Sequence, residues 1–168
     1  SIYMNKGDQV TFSSIVTTVG LPCFIKPNRA GSSFGISKVY KEEELAKALD
    51  KAFQEDNEIL IEQFLDGIEV AVGVIKWQGE ILVLPITEID SDNDFFDYEA
   101  KYLGESREIT PARISETQKN NVSEMARKIY KRMDLKGLSR ADFIFVGDEP
   151  YFIELNMVPG LSAESILP

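Results

Sequence analysis

Arg140-Ala141-Asp142-Phe143-Ile144-Phe145-Val146-Gly147-Asp148-Glu149-Pro150-Tyr151-Phe152-Ile153-Glu154-Leu155-Asn156 is a pair of β-rich runs around a Gly-Asp-Glu-Pro turn signal. Side chains two apart on a strand share a face. Arg140 and Asp142 therefore project together from the first run, and Glu154 and Asn156 from the second. A three-residue turn, Gly147-Asp148-Glu149, sets Asp142 opposite Glu154 and Arg140 opposite Asn156. Phe143, Phe145, Tyr151 and Ile153 then point the other way, into a core. The polar side carries three hard oxygen donors and one guanidinium. Directly opposed carboxylates repel, so a cation is their natural neighbour. Oxygens of Asp, Glu and Asn suit magnesium that keeps waters and bridges to phosphates. Taken alone, the same hairpin also reads as the solvated polar face of a two-layer sheet.

At 168 residues and 43% hydrophobic, the chain can bury one ordinary core or two small ones sharing an interface. A net charge of −10 argues against nucleic acid as the main partner. No apolar run is long enough to span a membrane, and the start shows no signal-peptide pattern. The chain has no histidine, which excludes Ser-His-Asp and Cys-His relays and histidine-ligated zinc. Chemistry must rest on carboxylates, lysine, arginine, hydroxyls or a magnesium-type ion. Cys23, the single cysteine, sits in an apolar run as a packed small hydrophobe, and this usage fits the cytoplasm. Beginning at Ser1 and stopping at Pro168 beside a dense motif, the sequence reads as a trimmed domain.

Upstream of the hairpin lies a second set of polar signals. Asp8 is placed to cap a short helix over about 11–19, a segment weakened by its β-branched residues. Residues 21–27 read as a buried strand closed by proline, with Lys26 at its end. Asn28-Arg29-Ala30-Gly31-Ser32-Ser33-Phe34-Gly35 follows; no Gly-Lys-Ser closes it, so it is not a Walker A sequence. Its small residues still let backbone N–H groups approach a phosphate, with Ser32 and Ser33 as added donors and Lys26 as counter-charge. A plain flexible hairpin loop has the same composition. Residues 41–54 form an amphipathic helix that buries Leu45, Ala48, Leu49, Ala52 and Phe53, with glutamates at its N-terminus.

Strands are expected over 58–65, 68–76 and 80–89, broken at Asp66-Gly67 and joined by a tight Gln78-Gly79 turn. Glu62 and Glu69 bracket the first break, where free backbone groups could meet a purine edge and a carboxylate a ribose; two ordinary strand-end glutamates read the same way. Residues 91–112 form a long loop with aromatics among charges, a lid with Lys101 and Tyr102 at its tip. A capping box, Ser115-Glu116-Thr117-Gln118, opens a helix to about 133 that buries Val122, Met125, Ala126, Ile129, Tyr130 and Met133. The tail, 157–168, either holds a second substrate or is a terminal coil.

In order, Phe-Ile-Lys-Pro, Gly-Ser-Ser-x-Gly, Glu62 with Glu69, Asp97-Tyr98-Glu99-Ala100-Lys101-Tyr102, Arg140-x-Asp142 and Glu154-x-Asn156-x-x-Pro159-Gly160 resemble the ATP-grasp domain of D-alanine-D-alanine ligases. The likeness covers about 22–168. It implies an α+β ATP-grasp fold with two mixed or antiparallel sheet subdomains, flanking helices and the nucleotide site between them. The smaller subdomain would be about 1–65 and the larger, metal-binding one 66–168, with an N-terminal substrate domain and the C-terminal end absent. It implies ATP-dependent joining of two D-alanines through an acyl phosphate, for peptidoglycan precursor synthesis, by a cytoplasmic enzyme whose full-length form is a homodimer. This portion alone would be inactive, and neither nucleic acid nor membrane is a partner.

Carried over, Lys26, Ser33 and Lys101 meet ATP phosphates, Glu62, Gln63, Phe64 and Leu65 line the adenine, and Glu69 meets the ribose. Asp142, Glu154 and Asn156 hold two magnesium ions, with manganese an alternative. Arg140 stabilises charge on the acyl phosphate, Ser32 and Tyr102 join lid to substrate, and Gly160, Ser165 and Ile166 take the second D-alanine. Tyr102 leans toward D-alanine over D-lactate as acceptor. The alternatives are a D-lactate or D-serine acceptor, or a nucleotide-binding domain without catalysis.

Overall fold

The computed structural model describes residues 1–31, 33–91, 106–161 and 165, and these fall into two compact units that divide between Phe64 and Leu65. In the first, β1 (Ile2–Asn5), α1 (Phe12–Val19), β2 (Cys23–Pro27), β3 (Ser37–Val39), α2 (Glu42–Glu55) and β4 (Glu58–Gln63) build a four-stranded sheet in the order β1-β4-β2-β3. Each of its pairings is antiparallel. Strand alternation sends Cys23, Ile25, Val39, Ile59 and Ile61 to the helix side, where they pack on Ile15, Val19, Leu45, Ala48 and Ala52. The Cys23 thiol is fully buried there as a core hydrophobe, and burial pushes its pKa up. Phe24, Lys26, Lys38 and Glu62 consequently lie on the opposite face of the sheet.

One expectation for this unit changes. The cap of α1 is Thr11, whose hydroxyl accepts from the Ser14 N–H at 3.2 Å, because Thr11 directly precedes the first helical turn. Asp8 lies too far upstream and instead accepts from the Asn5 N–H at 2.8 Å, closing the turn after β1. Residues 2–5, which offered no reading, pair with β4; four residues are too few to show alternation.

The second unit contains β5 (Ile68–Trp77), β6 (Glu80–Val83), β7 (Thr87–Ser91), β8 (Ser106–Ile109), α3 (Glu116–Arg132), β9 (Leu138–Val146) and β10 (Glu149–Asn156). Its six-stranded sheet runs β10-β9-β5-β7-β8, with β6 also paired to β5. Val70, Val72, Val74, Ala141, Phe143 and Phe145 meet Val122, Ala126 and Tyr130 of α3 in one core. The capping box forms as expected: Gln118 N–H donates to the Ser115 hydroxyl at 3.1 Å and Ser115 N–H to the Gln118 carbonyl at 2.9 Å.

The strand expected over 80–89 is two strands on one edge of β5. Val74 faces Val83 while Ala71 faces Thr87, so one residue more is used on the outer chain, at Leu84-Pro85-Ile86. Pro85 has no N–H for the ladder and marks the interruption. The loop expected over 91–112 also contains β8, whose Ser106–Ile109 pairs with β7. The class is α+β, two sheets each with flanking helices.

Candidate nucleotide and metal site

Around the hairpin the structure brings Arg140, Asp142, Glu154 and Asn156 together by a route other than the expected turn. Val146 pairs with Glu149, so the turn is the two residues Gly147-Asp148, with Gly147 at φ 62. Glycine at the first central position suits the primed turns that match strand twist. Phe143 then faces Phe152, but Asp142 faces Glu154: Ile153 is the extra residue of a β-bulge. The bulge restores the polar register, with Asn156 opposite Arg140. It also corrects the core assignment. Tyr151 faces Ile144 and is 45% exposed, while Pro150 and Phe152 take the side of Phe145 and Phe143. Ile153 itself is only half-buried.

Asp142 is the buried centre of this cluster. Arg140 grips it with Nε to Oδ1 at 2.8 Å and Nη2 to Oδ2 at 2.8 Å, and lies 3.8 Å from the exposed Glu154 carboxylate. Asn156 Nδ2 donates to Asp142 at 3.3 Å and to Glu154 at 3.2 Å. Burial pushes the Asp142 carboxyl up to about 6, despite the opposing pull of Arg140, and the Glu154 charge adds to the rise. Burial works against the Arg140 charge too, but its bonds to Asp142 outweigh that and raise its pKa.

The cation expected between the carboxylates is therefore, in part, Arg140 itself. Among the described residues no three His, Cys, Asp or Glu side chains converge on a metal position; the donor set is two carboxylates and an amide. That set fits a hard divalent cation once the Asn156 amide presents its oxygen, and a buried carboxylate whose ionisation is disfavoured gains from positive charge.

The same sheet face extends across β5 and β8. Glu69 faces Ile144 on one side and Ile89 on the other, and Ile89 faces Glu108. Burial raises the Glu108 pKa against the pull of Arg140. Glu108 escaped the sequence reading because its strand was taken as loop. At the joint before β5, a Cβ on Gly67 would lie 1.7 Å from the Phe145 carbonyl oxygen, so this position has no room for a side chain. Further along, a Cβ on Gly160 would come within 2.7 Å of the Ser165 hydroxyl, which places these two expected substrate residues side by side.

In the first unit Lys26 Nζ lies 2.6 Å from Glu62 Oε2, both side chains partly exposed. They are diagonal neighbours, because Phe24 faces Glu62 and Lys26 faces Leu60. The start of the glycine loop beside Lys26 is anchored through Arg29. Arg29 donates to Asp56 at 2.9 and 3.1 Å and to Glu58 at 3.2 Å. The bonds from Arg29 hold the Asp56 carboxyl down to about 2. Ser33 sits at φ 58, a region that residues other than glycine seldom enter. Gly35, at φ 76, leaves no room for a Cβ against Pro27 and Glu55. Phe64 donates its N–H to the Pro22 carbonyl at 3.3 Å, and Gln63 pairs with Cys23. Leu65 and Glu69 belong to the second unit. Ser32, Lys101, Tyr102 and Ile166 lie outside the described residues.

Residues 3–168 match the family described as D-ala D-ala ligase C-terminus. The chain belongs to that family. Among its relatives, the D-alanine--D-alanine ligase of Flavobacterium johnsoniae is 61% identical over 168 residues, 100% of this chain and 52% of the relative. That of Christiangramia forsetii is 57% identical over 166 residues, 99% of this chain and 51% of the relative. The chain thus spans about half the length of the curated relatives it matches.

Two solved structures show the same ATP-grasp architecture. VanG D-Ala:D-Ser ligase from Enterococcus faecalis superposes with a TM-score of 0.77 at 37% identity, covering 91% of this chain and 45% of that one. D-alanine--D-Alanine ligase from Bacillus anthracis complexed with ATP gives 0.79 at 26% identity, covering 99% and 51%.

Proposed function

We propose that this chain is the ATP- and metal-binding portion of an enzyme that joins two D-alanines through an acyl phosphate, for cell-wall precursor synthesis. The observation that carries the reading is the hairpin face, where a bulge aligns Asp142 with Glu154 and Arg140 with Asn156 in a member of this family. Phosphoryl transfer to a carboxylate brings anions together, so positive charge must be placed before the reaction. Lys26 supplies it for the phosphates beside the glycine loop. Arg140 supplies it at the carbonyl oxygen that becomes an oxyanion when the second amine attacks.

Asp142, Glu154 and Asn156 would hold magnesium, which when bound neutralises phosphate charge. Glu62, Gln63, Phe64 and Leu65 meet the base, Glu69 the ribose, and Ser33 the phosphates. Lys101 and Tyr102 act from the 92–105 stretch, together with Ser32. Gly160, Ser165 and Ile166 receive the second D-alanine. In this reading residues 1–65 and 66–168 are the two ATP-grasp subdomains, and the remaining half of the protein, as long again in the relatives, completes the substrate pocket.

D-serine as acceptor is the second reading, favoured by the similarity to VanG, a D-Ala:D-Ser ligase. Three relatives above 50% identity are D-alanine--D-alanine ligases and support the first. The test is phosphate release by the full-length protein with D-alanine, D-serine or L-alanine. D-alanine alone should suffice, and Glu154→Gln should lower the rate about 100-fold or more with the fold intact. Undiminished release by Glu154→Gln would remove the metal assignment; faster turnover with D-serine would select the second reading.

A further inference from the structure

The first unit carries a cation that these roles do not use. Lys38 on β3 faces Phe24 on β2, and Phe24 in turn faces Glu62 on β4, so Lys38, Phe24 and Glu62 form one row across three strands. From that row the Lys38 ammonium lies 3.8 Å from the centroid of the Phe64 ring, 5.3 Å from Tyr40 and 6.0 Å from Phe24. The Phe24 and Phe64 rings are themselves in tilted contact at 6.1 Å.

None of these three rings belongs to the helix-side core of the unit. They stand on the charged face, where a group of half-exposed aromatics invites a ligand with an aromatic surface of its own. An ammonium on the face of a ring is attracted by the ring's quadrupole, and it fixes the ring's orientation without filling the space around the edge. Phe64 is also tied at its backbone, through the N–H bond to Pro22. Ring and backbone of Phe64 are thus held from two directions.

We propose that Lys38 is a positioning residue for the nucleotide base: through its grip on Phe64 it sets the segment 62–65 that meets adenine. This rests on the ATP site proposed above. Lys26 and Lys38 divide the work on this face. Lys26 pairs with Glu62 and serves the phosphates, whereas Lys38 acts through the rings and touches no phosphate.

The experiment uses the full-length enzyme. Lys38→Met keeps the aliphatic stem and removes the charge. It should raise KM for ATP and the dissociation constant for ADP, read by calorimetry, about 5-fold, with kcat and KM for D-alanine within about 2-fold. Lys38→Arg keeps a cation suited to aromatic faces and should restore both ATP and ADP values. Phe64→Leu should weaken ATP similarly, and Lys38→Met added to it should cost nothing further.

Unchanged ATP and ADP values in Lys38→Met overturn the proposal, as does a lowered melting temperature with those values unmoved. If Lys38→Met does not fold, Lys38→Gln takes its place, and a full further loss of ATP affinity when Lys38→Gln is added to Phe64→Leu overturns the proposal. Lys26→Met and Glu62→Gln with unaltered ATP affinity would remove the ATP site itself, a different failure.

Discussion

The two sheets are built alike and place their charges differently. Each packs one face under helices and turns charged residues to the other. Around Phe24 in the first unit, Lys26 pairs with Glu62 while Lys38 lies over the rings of Phe64, Tyr40 and Phe24. On the hairpin of the second, Arg140 stands against Asp142 and Glu154, an excess of one negative charge. The carboxylates differ as well: Glu62 is 33% exposed and meets Lys26 through one oxygen, while Asp142 is 12% exposed and accepts from both Nε and Nη2 of Arg140.

That contrast breaks most visibly in stability. Arg140→Met strands the Asp142 carboxylate in a buried setting and should cost about 3 to 5 kcal/mol in urea denaturation. Lys26→Met, at a half-exposed pair, should cost less than about 1 kcal/mol. Equal midpoints for the two variants would abolish the distinction. Next in size is Gly67→Ala, which drives a methyl group into the Phe145 carbonyl and should cost about 1 to 3 kcal/mol. Gly31→Ala in the loop of the first unit meets nothing within 4 Å and should stay within about 0.5 kcal/mol. A neutral Gly67→Ala would show that the strand joint can yield.

The smallest effect is the one whose size depends on pH. Arg29 holds the Asp56 pKa at about 2, below its ordinary 3.8. The Asp56 contribution is therefore complete above its unfolded pKa and lost as pH falls through about 2. Asp142 runs the other way. Its folded pKa of about 6 exceeds the ordinary 3.8, so the folded state binds the extra proton and stability falls as pH rises across that interval. Arg29→Met should then lower the urea midpoint more at pH 5 than at pH 2, and an equal shift at both would refute the Asp56 assignment.

Much of this was written in local pattern. The stripes of α2 and α3, the capping box and the burial of Ile59, Ile61, Phe143 and Phe145 follow from periodicity, except that Met133, expected in the α3 stripe, caps the helix and is exposed. The bulge at Ile153 does not, because Tyr151-Phe152-Ile153 is apolar three times running and carries no phase. A register inferred from its polar ends came out right while the turn between them was wrong. The short strands β1, β3 and β8 have too few residues to alternate visibly, which is why Lys38 and Glu108 went unnoticed. The Lys26–Glu62 contact joins residues far apart in sequence, and only strand pairing reveals it.

The bulge also separates two kinds of freedom in the hairpin. Because Ile153 resets the phase between tip and charged pairs, the position of Asp142 and Glu154 is not dictated by the length of the Gly147-Asp148 turn. The hairpin is therefore aligned at its root by the bulge and anchored separately at its tip, where the Gln118 and Asn121 side-chain amides of α3 donate to the Gly147 and Asp148 carbonyls at 2.8 and 3.0 Å.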